Sequence, residues 1–205
     1  MDNAVALVQA YLRVNGYFTV SEYPVVERIR AGGIRTVTDL DILAFRFPGA
    51  GRLLVRKGSA VTEASRIETD PALAAPPEHA DMLIGEVKEG AADLNRAARD
   101  PGVLEVVLAR FGCCSADSAG GMVKQLMQAG RVRAPSGHNV RLVAFGTAAA
   151  VSQENGFLVI PLAHVISFLR QHVREHWDVL RHVQPKDTAF GFLTLFEKAR
   201  SISRR

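Results

Sequence analysis

Two stretches of this chain have the composition of buried β-strands and still carry charge, and few folds accommodate both. The first is Val37-Thr38-Asp39-Leu40-Asp41-Ile42-Leu43-Ala44-Phe45, and the second is Met82-Leu83-Ile84-Gly85-Glu86-Val87-Lys88-Glu89. Moving a carboxylate out of water is costly unless a partner receives it. Side chains of a strand alternate between its two faces, so Asp39 and Asp41 are expected to share a face, as are Glu86 and Lys88. If the strands are neighbours, Asp41, Glu86 and Lys88 converge at one end of a sheet. Two carboxylates and an ammonium make physical sense there around a divalent cation. Mg²⁺ takes oxygen ligands, keeps several waters and accepts phosphate oxygens. The lysine then stabilises hydroxide or the charge growing on a phosphate.

The rest of the pattern builds an α/β fold around these strands. Ala4, Leu7, Val8, Tyr11 and Leu12 fall on one face of a helix over 4–14, which Asn15-Gly16 ends. Tyr17 to Glu27 is β-branched and aromatic and reads as a strand, placed at an edge by Pro24. Ala31-Gly32-Gly33 turns the chain into a second, central strand over 36–47. Residues 48–80 are polar and weakly patterned, and read as a loop insertion with a short strand over 52–56 and no buried element. A third strand over 82–89 follows. Helical stretches are expected over 92–111, interrupted at Asp100-Pro101-Gly102, and over 118–129, ended by Gly130; residues 92–131 read as a helical hairpin insertion. Short strands over 140–145 and 156–161 and helices over 162–177 and 188–199 complete a mixed sheet flanked by helices, within one domain over 1–205.

Composition narrows the setting. The chain has 205 residues, 48% of them hydrophobic, enough to bury a core without cross-links. Its two cysteines, Cys113 and Cys114, are adjacent, which excludes a disulfide framework and suits a reducing compartment. No apolar run reaches the roughly 18 residues of a membrane span, and the start lacks a signal-peptide pattern, so a cytoplasmic location without membrane contact is expected. A net charge of +4 is compatible with a polyanionic partner.

The run Thr38-Asp39-Leu40-Asp41-Ile42-Leu43-Ala44 followed by Gly85-Glu86-Val87-Lys88 resembles the PD-(D/E)xK nuclease superfamily, the restriction-endonuclease-like fold. The first run looks like its acidic strand and the second like its E-x-K strand. Asn15-Gly16-Tyr17 leading into a strand is similar to the way many members begin, and 140–145 with the helix from Leu162 fit the end of an α-β-β-β-α-β core. The likeness spans roughly residues 4–176 as an order of elements, and about a dozen residues carry it. It implies a restriction-endonuclease-like fold and metal-dependent hydrolysis of phosphodiester bonds. Asp41, Glu86 and the carbonyl of Val87 would hold Mg²⁺ or Mn²⁺, and Lys88 would position or activate the attacking water. Members often add an acid from the first helix or strand; Glu22 is the first candidate here and Glu27 the second, with Asp39 standing behind the ligands. The implied partner is nucleic acid, DNA ahead of RNA, and a homodimer is compatible. The alternative is a catalytically inactive protein of this fold that binds nucleic acid or protein. The chain departs from the family in the 45 positions between Asp41 and Glu86, in lacking a Pro before Asp41, and in lacking a downstream Gln-x-x-x-Tyr.

Other signals carry less. His172-Val173-Arg174-Glu175-His176 matches the inverted zinc-protease motif, but Glu197 is the sole glutamate among the 29 residues that follow. It reads as a solvated helix face. Cys113-Cys114 has no nearby base in sequence and reads as a structural pair. Ser118-Ala119-Gly120-Gly121 is no P-loop. Val103 to Arg133 could pass for a winged-helix fragment and reads instead as a lid or packing hairpin. The basic end, Ser201 to Arg205, reads as a frayed tail, with phosphate contact as the sharper alternative.

Overall fold

Asp2 starts the first helix, α1 (Asn3–Val14), by accepting the N–H of Ala4 at 2.8 Å. Strands β1 (Phe18–Arg28) and β2 (Ile34–Arg46) follow as a hairpin. A separate two-stranded sheet, β3 (Arg52–Lys57) with β4 (Ala60–Arg66), precedes β5 (Asp81–Ala91). Helices α2 (Pro101–Arg110) and α3 (Ala116–Ala129) lead to β6 (Arg131–Arg133), β7 (Asn139–Thr147), β8 (Ser152–Glu154) and β9 (Phe157–Pro161). Helices α4 (Leu162–Glu175), α5 (Trp177–Leu180) and α6 (Thr188–Ile202) end the described chain. The structure is a computed structural model and describes residues 2–29, 32–154, 156–182 and 184–202. Ala31 of the first turn and residues 203–205 of the basic end lie outside the described residues.

The protein is α/β with a mixed central sheet flanked by helices, in strand order β1-β2-β5-β7-β9-β8, with β6 pairing β7. The pairs β1/β2 and β2/β5 are antiparallel, whereas β5/β7 and β7/β9 are parallel. The step from β5 to its parallel neighbour β7 needs a crossover, and α2 and α3 provide it. Val103, Leu104, Val107, Met122 and Leu126 of these helices bury Leu40, Leu43, Ile84 and Leu142 on one face of the sheet. The opposite face carries Ile42, Ala44, Leu83, Val143 and Phe145 and is covered by Val8, Tyr11 and Leu12 of α1 and Val165 and Leu169 of α4. Truncating a buried leucine of either layer to alanine costs about 2–5 kcal/mol.

Several expectations need correction. Residues 92–131 are no insertion, because α2 and α3 form a whole layer of the core. Asp100-Pro101-Gly102 begins a helix instead of interrupting one. The Asp100 carboxylate accepts from Gly102 N at 2.8 Å and Val103 N at 3.3 Å, and Pro101 takes the first helical position, where its missing N–H is harmless. Residues 92–99 form no helix, and the short strands β6 and β8 carry too little pattern to be read. Within 48–80 the hairpin β3–β4 stands off the central sheet as expected, but Asp70 and Leu73 are buried. Asp70 accepts from Tyr11 Oη at 2.8 Å and lies 2.7 Å from His164 Nε2, and its own N–H donates to Asn15 Oδ1 at 2.7 Å. One buried carboxylate therefore pins this segment, without apolar periodicity.

A second buried carboxylate fixes the sheet at the start of β5. Asp81 is fully buried and receives both Nε (2.9 Å) and Nη2 (2.6 Å) of Arg141 from β7, and Tyr17 Oη at 2.7 Å. Arg141 Nη1 also donates to the carbonyl of Leu73 at 2.8 Å. The network joins β5, β7, the chain before β1 and the pinned loop. Gly130 closes α3 at φ +66°; a Cβ there would lie 1.4 Å from the carbonyl oxygen of Gly156, so the backbones meet too closely for any side chain.

Candidate active site

The sheet opens where the acids lie. Pairing of β2 with β5 runs from Arg46↔Asp81 to Ile42↔Gly85 and stops there. Continued by one step, the register sets Asp41 opposite Glu86. The ladder is replaced at this point by a side chain, because Val87 N–H donates to Asp41 Oδ2 at 2.8 Å. The carboxyl groups of Asp41 and Glu86 lie close enough to act on each other's ionisation, and the side chain of Asn95 lies close enough to favour the charged form of Glu86. Asn95 Oδ1 accepts Ala98 N–H at 2.6 Å, which anchors it in the loop after β5. Gly85 supports the opening from behind: a Cβ there would lie 2.6 Å from Ile42 Cγ2.

The electrostatics follow from enclosure. Glu86 is only 4% exposed, and its Oε2 has no hydrogen-bond partner among the described residues. Burial, and then the charge of Asp41, push its carboxyl up to about 7, against the opposing pull of Lys88. Burial also raises Asp41, opposed chiefly by the N–H of Val87. Glu86 therefore keeps its proton to a higher pH than a free glutamate does, as one of two close carboxyl groups does when both cannot readily ionise. Lys88 is half-buried two positions beyond Glu86, and its charge acts on both acids.

The other candidates fall at different places around this pair. Asp39 is exposed and pairs Pro24 in the register. Leu40 and Leu43 enter the same core layer although three positions separate them, so the alternation shifts between them. The period-two argument that put Asp39 beside Asp41 therefore does not carry across this point. On β1, Glu22 sits between Ser21↔Ile42 and Tyr23↔Leu40, opposite Asp41, and is exposed with φ +53°. A left-handed glutamate in a strand is uncommon, and such conformations concentrate at functional sites. Glu27 is engaged by Arg35 farther along the same hairpin. Val87, the third proposed ligand, is buried, and its N–H is already committed to Asp41. Asn95 was not legible, because nothing in the sequence around it distinguishes it from a loop asparagine.

Among the described residues, no group of three or more His, Cys, Asp or Glu is gathered where one ion could bind them all. The cysteines are free, and burial holds the Cys113 thiol up at about 11, which leaves it an inert core group 3.5 Å from the Met82 sulfur. No described helix is long and apolar enough to cross a membrane. Comparison with family models, with curated proteins and with solved structures finds no match to this chain.

Proposed function

We propose that the chain is a Mg²⁺- or Mn²⁺-dependent nuclease with a restriction-endonuclease-like core, hydrolysing phosphodiester bonds in nucleic acid. The observation that carries the reading is Glu86 Oε2, a buried carboxylate oxygen without a partner, held against Asp41 at the point where β2 and β5 part. Buried polar atoms are rarely left unpaired, so an orphan in such a pair asks for a ligand. The donor set fits Mg²⁺, which is commonly held by one or two carboxylates and completes its shell with water and substrate phosphate. When bound, such an ion supplies charge neutralisation at the phosphate and a more acidic water. Asp41 and Glu86 would hold it, and binding would displace the proton that Glu86 keeps up to about pH 7. Lys88 would face the phosphate with its ammonium and stabilise negative charge as the bond breaks. The order α1, β1, β2, β5, α2–α3, β7 agrees with the α-β-β-β-α-β core that the motif resemblance implies. The net charge of +4 suits a polyanion, with DNA ahead of RNA.

The near-complete enclosure of Glu86 supports a second reading, an inactive protein of the same fold that binds nucleic acid or protein. One experiment separates the two. Single- and double-stranded DNA and RNA are incubated with the protein in Mg²⁺, Mn²⁺ or EDTA, with Glu86→Ala as control. Cleavage that requires the ion and vanishes in the variant supports the nuclease. Retention of nucleic acid in a gel shift, with no cleavage by either protein, supports the binding module.

A further inference from the structure

A second set of titratable groups lies away from Asp41 and Glu86, along one face of α4. His164, Phe168, His172 and the helix-ending His176 follow one another at steps of four and therefore share a face. They form one wall of a cleft of about 550 Å³, whose other wall is residues 67–71. The ring of His172 is fixed between Phe168, stacked at 6.5 Å, and Phe190 at 6.1 Å. The ring of His176 lies 4.4 Å from it, centroid to centroid. Neither imidazole has a hydrogen-bond partner among the described residues, although both line an open polar cleft. His164 is different, since its Nε2 is taken by Asp70.

We propose that His172 and His176 chelate a divalent transition-metal ion of the Zn²⁺, Ni²⁺ or Cu²⁺ class. Two histidines at i and i+4 on a helix present their rings to one ion, and imidazole suits these metals where Mg²⁺ prefers oxygen. With two protein ligands, the remaining positions face the cleft and are open to water or to an anionic group entering it. The site is no peptidase centre: Glu197, the sole downstream glutamate, is bound to Arg170 at 3.3 Å and Arg174 at 3.2 Å. The inference is independent of the proposed nuclease activity.

Trp177, the single tryptophan of the chain, adjoins His176 and reports on the site. Untagged full-length protein, stripped with EDTA and then freed of it, is titrated with Cu²⁺ or Ni²⁺ by tryptophan quenching and with Zn²⁺ by calorimetry. Saturation at one ion per chain, unaffected by excess Mg²⁺, is expected. His172→Gln and His176→Gln should each weaken binding by at least about tenfold, while His164→Gln and Cys114→Ser should leave it unchanged. His172 is packed between two rings, so His176→Gln, checked by circular dichroism for an unaltered fold, is the decisive variant. Absence of saturable binding, or parental affinity in His176→Gln, overturns the proposal.

Discussion

Replacing Glu86 by glutamine tests the carboxyl pair through stability alone, with no substrate required. A carboxyl that titrates at about 7 in the folded protein instead of the ordinary 4.5 costs the fold about 3 kcal/mol once ionised. The sign follows from proton counting. Between pH 4.5 and 7 the folded chain keeps a proton that the unfolded chain has released, so stability falls as pH rises through this window and the cost is complete above it. Glutamine keeps the shape of the neutral acid and never ionises. Glu86→Gln should therefore match the parent near pH 4 and exceed it by about 3 kcal/mol at pH 8, or about 6–12 °C in Tm for a chain of this size. His172 works in the opposite direction: burial and His176 hold it down at about 4, so its contribution rises with pH up to its ordinary 6.5. It is present in both proteins and cancels in their difference. Urea unfolding of the two proteins in EDTA at pH 4, 6 and 8 measures that difference directly. A difference independent of pH, or a variant less stable than the parent at pH 8, would falsify the reasoning.

The other expectations need fewer steps. Asp41→Asn should weaken Mg²⁺ binding in calorimetry, abolish cleavage and melt higher than the parent without metal, because it relieves repulsion with Glu86. Lys88→Met should bind Mg²⁺ at least as well as the parent and still lose turnover, which a rate measurement at saturating Mg²⁺ reads. Asp81→Ala strands the Arg141 guanidinium and the Tyr17 hydroxyl in the interior and should cost about 3–5 kcal/mol in urea unfolding. Limited proteolysis should cut first near Gly58, in the exposed β3–β4 hairpin, and spare residues 70–73, which Tyr11, Asn15 and Arg141 hold; mass spectrometry of the first fragments decides this.

How much of this was legible in the sequence depended on periodicity. The apolar spacing of 4–14, 118–129 and 162–177 gave the helices, and the β-branched runs gave the long strands, because burial of one face imposes those repeats. The meander β1–β2–β5 and the acid-bearing segments of β2 and β5 were readable for the same reason. What failed has no repeat. The role of α2 and α3 as a core layer depends on β7 lying parallel to β5, and strand order leaves no local trace. Asp70, Asp81 and Arg141 looked like ordinary loop and strand-end charges, yet the side chains they join, such as Tyr11 and His164 with Asp70 and Arg141 with Asp81, lie 59, 94 and 60 positions apart in the chain. Asp39 failed because the face alternation slips between Leu40 and Leu43, beside the left-handed Glu22, which no composition rule anticipates.

The acids at the parting of β2 and β5 do not carry equal weight in deciding between an enzyme and an inactive scaffold. Asp41 has a structural task whatever the chemistry: it accepts the Val87 N–H that β2 would otherwise have to satisfy, and loss of that acceptor costs about 1–3 kcal/mol. A chain that had abandoned catalysis would still need an acceptor at position 41, so the presence of Asp41 argues for neither reading. Asparagine would serve the N–H as well, without the negative charge that aspartate sets against Glu86. Glu86 is the opposite case. Its Oε2 satisfies nothing among the described residues, and its burial beside Asp41 opposes folding above neutral pH. A residue that destabilises the empty fold and leaves a buried oxygen without a partner makes physical sense through what it binds. Glu86, more than the D-x-D pattern, is therefore the position at which the nuclease proposal stands or falls.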